Sequence, residues 1–207
     1  MKLITIEVGP LSTNCYILLD EKGNAAVIDP GWDGDLILKR LSEEGASISF
    51  ILLTHVHFDH INGLSELGDV KVYIHKNDIP ALTDENKSLA TLFNAALPKF
   101  NAIPIPVEDG DKIPFGGSEF TVMHTPGHTM GSCVFIIDSL IFSGDTLFAG
   151  NIGRTDLYGG NEADMRRSLK KLYALEDDYK ILPGHGVSST LLKEKRENRY
   201  LSSCSEV

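Results

Sequence analysis

The feature that most constrains this chain of 207 residues is an apolar strand that ends in a crowd of histidines. The run ISFILLT (48–54) is apolar on both faces, which is typical of a buried central strand. The segment HVHFDH follows at once and places three histidines and an aspartate within six residues. Such crowding would cost stability through desolvation and charge repulsion unless a cation organised it. The sequence therefore predicts a metal site at the end of this strand.

Further candidate ligands follow other strand-like runs, each in or beside a glycine-containing turn: His128 in TPGHT, Asp145 in FSGDTLF and His185 in LPGHG. Strand ends at one edge of a scaffold can aim side chains into a shared cleft. The isolated His75 and His124 are interpreted as ordinary polar residues, although His124 lies close enough to TPGHT to be a conceivable helper.

The spacing within HVHFDH suggests two neighbouring positions for a cation. His55 and His57 point to the same face of an extended segment and can bind one ion together. A helix that begins near Asp59 would redirect Asp59 and His60 towards a second ion. Five histidines and two aspartates are too many ligands for one tetrahedral ion, but they suit two ions bridged by a carboxylate and a water. Imidazole and carboxylate ligands suit Zn²⁺, which we expect here, with Fe or Mn as alternatives.

The order of strands and helices repeats in the two halves of the chain. Each half contains strands, then a helix, then a strand that delivers histidine. This order predicts an α+β sandwich of two mixed sheets with helices outside and a site at one edge. Between the halves, 77–97 is predicted to be mostly helical and the proline-rich 98–111 to be a loop. The stretch 191–203 is predicted to be one terminal helix.

Composition and net charge limit which partners the protein is expected to bind and indicate its cellular compartment. The net charge of −10 argues against nucleic acid and anionic membranes as main partners. The three cysteines are widely spaced, which argues against a disulfide framework and favours a cytoplasmic location. The first residues, MKLITIEVGP, fit neither a signal peptide nor a membrane span. The sequence carries no signal for an oligomeric state.

The ordered motifs HVHFDH, PGHT, SGDTLF and PGHG resemble the metallo-β-lactamase superfamily, and the resemblance covers residues 27–186. It implies a four-layer αββα sandwich, formed here by a single domain over residues 1–207. It also implies two metal ions bridged by Asp145. The implied ligands are His55, His57 and His128 for the first ion, and Asp59, His60 and His185 for the second.

The loop GDTLFAGNIGRTDLYGGN (144–161) resembles the glyoxalase II branch, the hydroxyacylglutathione hydrolases. Arg154 matches a basic residue that helps to bind the thiol moiety in that branch, and Tyr158 is a second candidate for substrate binding. The resemblance implies hydrolysis of a small-molecule thioester, such as an S-2-hydroxyacylglutathione, to a thiol and a hydroxy acid. A bridging metal-bound hydroxide would attack the carbonyl, and Asp59, the candidate catalytic residue, would orient it. Because one predicted helix follows His185, the chain resembles the short type without the C-terminal glutathione-binding helical domain.

Other readings of the same residues remain open. The GRTD tetrapeptide (153–156) also occurs in persulfide dioxygenases, which use a single iron at residues matching His55, His128 and Asp145. Arg154 can instead form a structural salt bridge with Asp156 or Glu162. A lactonase, a β-lactamase and a metal-binding module without turnover are less favoured. A non-catalytic protein in particular would not need so complete a ligand set.

Overall fold

The computed structural model describes residues 1–97, 99 and 104–205. Its strands, in chain order, are β1 (Lys2–Val8), β2 (Thr13–Leu19), β3 (Asn24–Ile28), β4 (Ser47–Leu53), β5 (Val72–His75), β6 (Pro104–Val107), β7 (Lys112–Phe115), β8 (Ser118–His124), β9 (Cys133–Ile137), β10 (Leu140–Gly144), β11 (Leu147–Phe148), β12 (Asn151–Ile152), β13 (Lys180–Pro183) and β14 (Ser189–Thr190). Its α-helices are α1 (Gly34–Glu43), α2 (Phe58–Ile61), α3 (Glu162–Tyr173), α4 (Leu191–Glu197) and α5 (Arg199–Ser202).

The larger strands form two six-stranded sheets, both with parallel and antiparallel pairs. The first sheet has the order β1-β2-β3-β4-β5-β6, and the second has the order β14-β13-β10-β9-β8-β7. The pairs β3–β4, β4–β5, β5–β6 and β10–β13 are parallel. The short strands β11 and β12 form a separate hairpin beyond the end of β10. The expected α+β architecture of two mixed sheets is confirmed.

Three apolar clusters separate four layers. The first joins α1 to the outer face of the first sheet, through residues such as Ile37 on the helix and Ile51 on β4. The second lies between the two sheets and contains Leu52 and Phe142. The third packs α3 against the second sheet, with Leu169 as one contact. Burial of apolar surface at all three interfaces is the main driving force that stacks the layers.

Strand β4 shows why the central strand has to be apolar on both faces. Ile51 and Leu53 belong to the cluster beneath α1, whereas Phe50 and Leu52 belong to the cluster between the sheets. Successive side chains of a strand point to opposite faces, so neither face of the second half of β4, residues 50–53, meets water, whereas Ser47 and Ser49 at its start are exposed. The apolar cluster on each face and the neighbouring strands on either side hold β4 in place. The histidine segment begins two residues after β4 ends.

The middle of the chain differs from its prediction. Instead of a long helix, 77–97 contains turns and two short 3₁₀ segments, Ile79–Ala81 and Thr91–Phe93. Two residues within it, Leu89 and Asn94, have left-handed backbone conformations that interrupt a right-handed helix. The Asp84 carboxylate also accepts hydrogen bonds from the backbone N–H groups of Asn86 and Lys87. These bonds close a local turn where a helix was predicted.

Two further predictions need correction. Within 98–111, predicted as a loop, Pro104–Val107 forms β6, while residues 98 and 100–103 lie outside the described part. A strand with two prolines is tolerated there because β6 is at the edge of its sheet. The single terminal helix is interrupted at Asn198, which is extended and donates its side-chain amide to the Asn151 carbonyl. Within the described ranges, no helix is long and apolar enough to cross a membrane.

Candidate metal centre

All seven predicted ligands converge at one edge of the sandwich, where strands of both sheets have their carboxyl ends. His55, His57, Asp59 and His60 follow β4, His128 follows β8, Asp145 follows β10 and His185 follows β13. Within this set, three overlapping groups bring their potential ligand atoms within 4.8 Å of one another: His55 with His57 and His128, His55 with His60 and Asp145, and Asp59 with His60 and His185.

Hydrogen bonds orient four of the imidazoles. The Nδ1 of His128 donates to the Arg154 carbonyl (2.8 Å), and that of His185 to the Leu11 carbonyl (3.1 Å). The Nδ1 of His60 lies 3.0 Å from a carboxylate oxygen of Asp29. His55 Nδ1 lies 3.1 Å from the Thr54 hydroxyl, whose own proton is donated to Asp29. In the neutral form, each of these imidazoles would keep the lone pair of its Nε2, as a metal ligand requires.

His57 completes the first group through its Nδ1 atom, whereas His55 and His128 present Nε2. His57 Nδ1 lies 3.1 Å from His55 Nε2. Since His55 Nε2 carries a lone pair in the tautomer just described, a cation between the two nitrogens would satisfy both. The pKa values of His55 and His57 are held well below the ordinary value, first by burial and then by the neighbouring imidazoles. Neutral imidazoles of this kind are the form that binds metals.

Asp145 lies between the two outer groups. One carboxylate oxygen is 3.5 Å from His60 Nε2, and the other is 3.4 Å from His128 Nε2 and 3.7 Å from His185 Nε2. One carboxylate thus faces both groups, as a bridging ligand would.

Several of these atoms are buried without a hydrogen-bond partner. Among the described residues they include the Nε2 atoms of His57, His60 and His128 and one oxygen of Asp145, with Asn62 Oδ1 as the remaining case. Buried polar atoms are rarely left unpaired, because losing hydration without compensation costs about 1–3 kcal/mol each. Their concentration on the predicted ligands fits an ion-binding centre.

The electrostatics favour positive charge at the second group. Burial opposes protonation of His60, but carboxylates led by Asp59 and Asp145 outweigh it and raise the pKa of His60 to about 10. Burial likewise opposes ionisation of Asp59, yet His60 and the hydrogen bond with His185 outweigh it and lower the pKa of Asp59. The Thr13 hydroxyl also donates to Asp59, at 3.0 Å.

The sequence reasoning missed two buried carboxylates that support the centre. Asp29, directly after β3, accepts hydrogen bonds from the backbone N–H and the hydroxyl of Thr54 and also contacts His60. Asp78 accepts from the Thr129 hydroxyl at 2.8 Å and the Gly131 N–H at 2.7 Å. Burial raises the pKa of Asp78 to about 6, although hydrogen bonds from Thr129, Gly131 and the Val56 N–H oppose the rise. Asp78 therefore connects the turn of His128 to the segment of His55 and His57.

The surroundings of Gly184 show why the first glycine of the PGHG turn has to lack a side chain. A Cβ atom on Gly184 would lie 2.2 Å from an Asp145 carboxylate oxygen and 2.7 Å from a ring carbon of His60. Any larger residue there would have to displace a ligand. The absence of a side chain lets this turn close over the centre.

The two predicted substrate-binding residues lie in the loop beside the centre. Both Arg154 and Tyr158 are exposed, and the Arg154 guanidinium forms two hydrogen bonds with Asp156, at 2.7 and 2.8 Å. The salt bridge considered as an alternative for Arg154 is therefore formed, while its carbonyl supports His128. The ring of Tyr158 lies 6.0 Å from Lys87 Nζ.

His124 has a separate place. Its ring stacks on His75, with centroids 3.8 Å apart and an interplanar angle of 7°. Its Nε2 lies 3.0 Å from the Met130 carbonyl, and no group of converging ligand atoms among the described residues includes it. These contacts agree with the interpretation of His75 and His124 as ordinary polar residues.

Comparison with known proteins places this geometry in a family. The model of the metallo-β-lactamase superfamily matches residues 8–185. Hydroxyacylglutathione hydrolase GloC of Haemophilus influenzae is 34% identical over 213 residues, covering 98% of this chain and 99% of GloC.

Solved structures agree with the sequence match. The B3 metallo-β-lactamase BLEG-1 has a TM-score of 0.90 and 31% identity, covering 97% of this chain and 100% of that one. TTHA1623 in a di-iron-bound form has a TM-score of 0.86 and 35% identity, covering 95% and 99%. ETHE1 of Myxococcus xanthus has a TM-score of 0.77 and 27% identity, covering 100% and 91%. The chain, with its two stacked sheets and its histidine and aspartate cluster at their edge, belongs to the metallo-β-lactamase superfamily.

Proposed function

We propose that this protein is a binuclear metal-dependent hydrolase that cleaves a small-molecule thioester. His55, His57 and His128 would hold one cation, Asp59, His60 and His185 a second, and Asp145 would bridge them. The carrying observation is the convergence of these side chains, among which the Nε2 atoms of His60 and His128 and one Asp145 oxygen are buried without a hydrogen-bond partner. Divalent cations here would supply Lewis-acid chemistry and a water whose pKa is lowered to about 7.

The surrounding residues have distinct roles in this proposal. Asp59 is ionised, because its pKa is lowered, so it can accept a hydrogen bond from the attacking water and orient it. The Thr13 hydroxyl holds the Asp59 carboxylate in place through a hydrogen bond of 3.0 Å, and the Nε2 of the neighbouring ligand His185 lies 3.2 Å from the same carboxylate. A thiolate is a good leaving group, so the site needs no strong general acid. Arg154 would bind an anionic group of the thiol moiety if its guanidinium leaves Asp156, and Tyr158 in the same loop is the second residue proposed to contact the substrate.

The choice of a thioester rests on two further observations. The loop 144–161 has the glyoxalase II-like sequence, and GloC, named as a hydroxyacylglutathione hydrolase, aligns over almost the whole of both chains. We propose Zn²⁺ as the resident ion. The di-iron form of TTHA1623 makes iron the first alternative. We further propose that residues 1–207 act as one domain in the cytoplasm.

The experiment that tests this function is hydrolysis of S-lactoylglutathione by protein of measured metal content, followed by the loss of thioester absorbance. We expect turnover that a chelator abolishes and added Zn²⁺ or Fe²⁺ restores. The matched control variant is His124→Ala, which removes a histidine outside the ligand set. A chromogenic cephalosporin tested in parallel should be hydrolysed far more slowly. Efficient cephalosporin cleavage without thioester cleavage would contradict the proposal.

The second candidate is a persulfide dioxygenase, favoured by GRTD (153–156) and by the presence of His55, His128 and Asp145. That reaction consumes oxygen, whereas hydrolysis does not. Protein holding one iron per chain that takes up oxygen with glutathione persulfide, and does not cleave the thioester, would select the second candidate.

A further inference from the structure

A groove of about 510 Å³ lies beside the metal centre. One wall is the segment 151–155, and the other is formed by residues of α3 and α5. The first wall also supports the centre. The Arg154 carbonyl accepts the hydrogen bond of His128, and a Cβ on Gly153 would lie 3.2 Å from the His128 ring. An occupant of the groove would therefore contact the segment that positions a metal ligand.

Positive charge is concentrated around this groove. Arg154, Arg166 and Arg199 line it, and all three are exposed. These three are half of the six arginines in a chain whose net charge is −10, so the local positive charge is opposite in sign to the charge of the whole chain. Among the described residues that line the groove, Glu162 is the one acid, and its carboxylate lies 3.8 Å from Arg166. Asp156 does not line the groove but pairs with Arg154, so a ligand would have to displace it from that guanidinium. Guanidinium groups are suited to carboxylate, sulfonate and phosphate ligands because they donate in pairs.

The inner surface of the groove is apolar. Met165 and Leu169 of α3 are both buried at its base, and Ile152 contributes from the opposite wall. The Arg199 guanidinium lies 4.6 Å from the centroid of the Tyr200 ring, which extends the apolar surface towards α5. A ligand that fills the groove should thus combine an apolar body with an anionic group, since pockets of this kind select both properties.

We infer that the groove is a binding site for an organic anion with an apolar body, held by the guanidiniums of Arg154, Arg166 and Arg199. Two sources share this chemistry: the anionic thiol moiety of the thioester substrate, or a separate small-molecule ligand. The inference stands without the proposed function, because binding can be measured without turnover.

The test is a fluorescence titration of the protein with 1-anilinonaphthalene-8-sulfonate, an aromatic body that carries one sulfonate. We expect saturable binding of one probe per chain. Arg166→Ala and Arg199→Ala should each weaken it about 3–10-fold, as expected for loss of a partly exposed charge-assisted contact. The matched controls are Arg167→Ala on α3 and Arg196→Ala on α4, which remove the same charge from neighbouring positions outside the groove. Both controls should stay within about twofold of the parent Kd.

The result that would overturn the inference is equal weakening by all four substitutions, which would indicate a general charge effect, or binding that does not saturate. Competition identifies the source. Displacement of the probe by glutathione would assign the groove to the thiol moiety of the substrate. If glutathione leaves the probe bound while the arginine pattern holds, the groove belongs to a separate ligand. A protein inactive towards thioesters but showing the arginine pattern would contradict only the proposed function.

Discussion

The two ligand groups of the centre differ in composition and in access. His55, His57 and His128 are three buried imidazoles with relative exposures of 1%, 4% and 3%. The other group mixes a carboxylate with two imidazoles, and the side chain of His185 is 29% exposed. The pKa values of His55 and His57 are lowered, whereas those of His60 and His185 are raised by the nearby carboxylates despite burial.

This difference suggests a division of labour. The three-histidine group offers a closed set of neutral nitrogens, which fits a tightly held tetrahedral ion that keeps one position open. The mixed group carries negative charge and lies nearer solvent, so it fits an ion that exchanges more readily and meets the substrate first. Four predictions, in order of decreasing effect, test this comparison.

The largest effect should come from His55→Ala. His55 belongs to two of the three converging groups, so its loss should empty the first position and weaken the second. We expect thioester hydrolysis to fall on the order of 10³-fold or more, together with the metal content. Elemental analysis and initial rates check both. Full activity with a full metal load would contradict the ligand assignment.

His185→Ala should have a smaller and more selective effect. It removes a ligand only from the mixed group, so the metal content should fall from about two ions to about one, with a loss of activity of about 10²-fold. Titration of metal-free protein with Zn²⁺ in competition with a chromophoric chelator measures the two affinities separately. Equal loss of both ions would show that the two positions are not independent.

The supporting carboxylates should separate the two groups further. Asp78→Asn disturbs the connection between the turn of His128 and the segment of His55, so it should weaken the first position about 10–100-fold. Asp29→Asn replaces the acceptor that His60 contacts directly and that His55 reaches through the Thr54 hydroxyl, so it should weaken the second position most and the first position less. The same chelator titration checks both, with Asp84→Asn as control, since Asp84 is half-buried and lies outside the ligand groups. If Asp78→Asn weakened mainly the second position and Asp29→Asn mainly the first, the assignment of each carboxylate to its metal position would be refuted.

The smallest effect concerns the stacked pair of non-ligand histidines. Burial, followed by the neighbouring His124, lowers the pKa of His75 to about 4 from an ordinary 6.5. Between pH 6.5 and 4 the unfolded chain therefore binds more protons than the folded one, so stability falls as the pH falls through this window. His75→Gln should remove on the order of 1–2 kcal/mol of that acid sensitivity. Urea unfolding of metal-free protein at several pH values measures it, and an unchanged pH slope would argue against this assignment.

The convergence of the candidate ligands was predictable from sequence, because they follow four strands, β4, β8, β10 and β13, whose carboxyl ends lie at one edge. Asp29 could have been found by the same reasoning, since it follows β3 as Asp145 follows β10. Asp78 could not, because its partners are a hydroxyl and backbone N–H groups, and two of these partners lie more than 50 residues away in the chain. The long helix predicted in 77–97 failed because composition does not reveal the left-handed conformations at Leu89 and Asn94. The orientation of the Arg154 side chain could not be predicted either, because Asp156 and a bound ligand compete for its guanidinium.

The burial of β4 on both faces has a consequence for exchange of amide hydrogens. This strand lies between β3 and β5, and its residues 50–53 contribute to two apolar clusters, so the amides of this half should exchange only through global unfolding. His55 and His57 are attached directly to that slowly exchanging unit. His185 instead follows β13, whose outer neighbour β14 is a two-residue edge strand, so local opening there should be far more frequent. Before any ion binds, one half of the centre is thus held in place, and the other half can open to admit it.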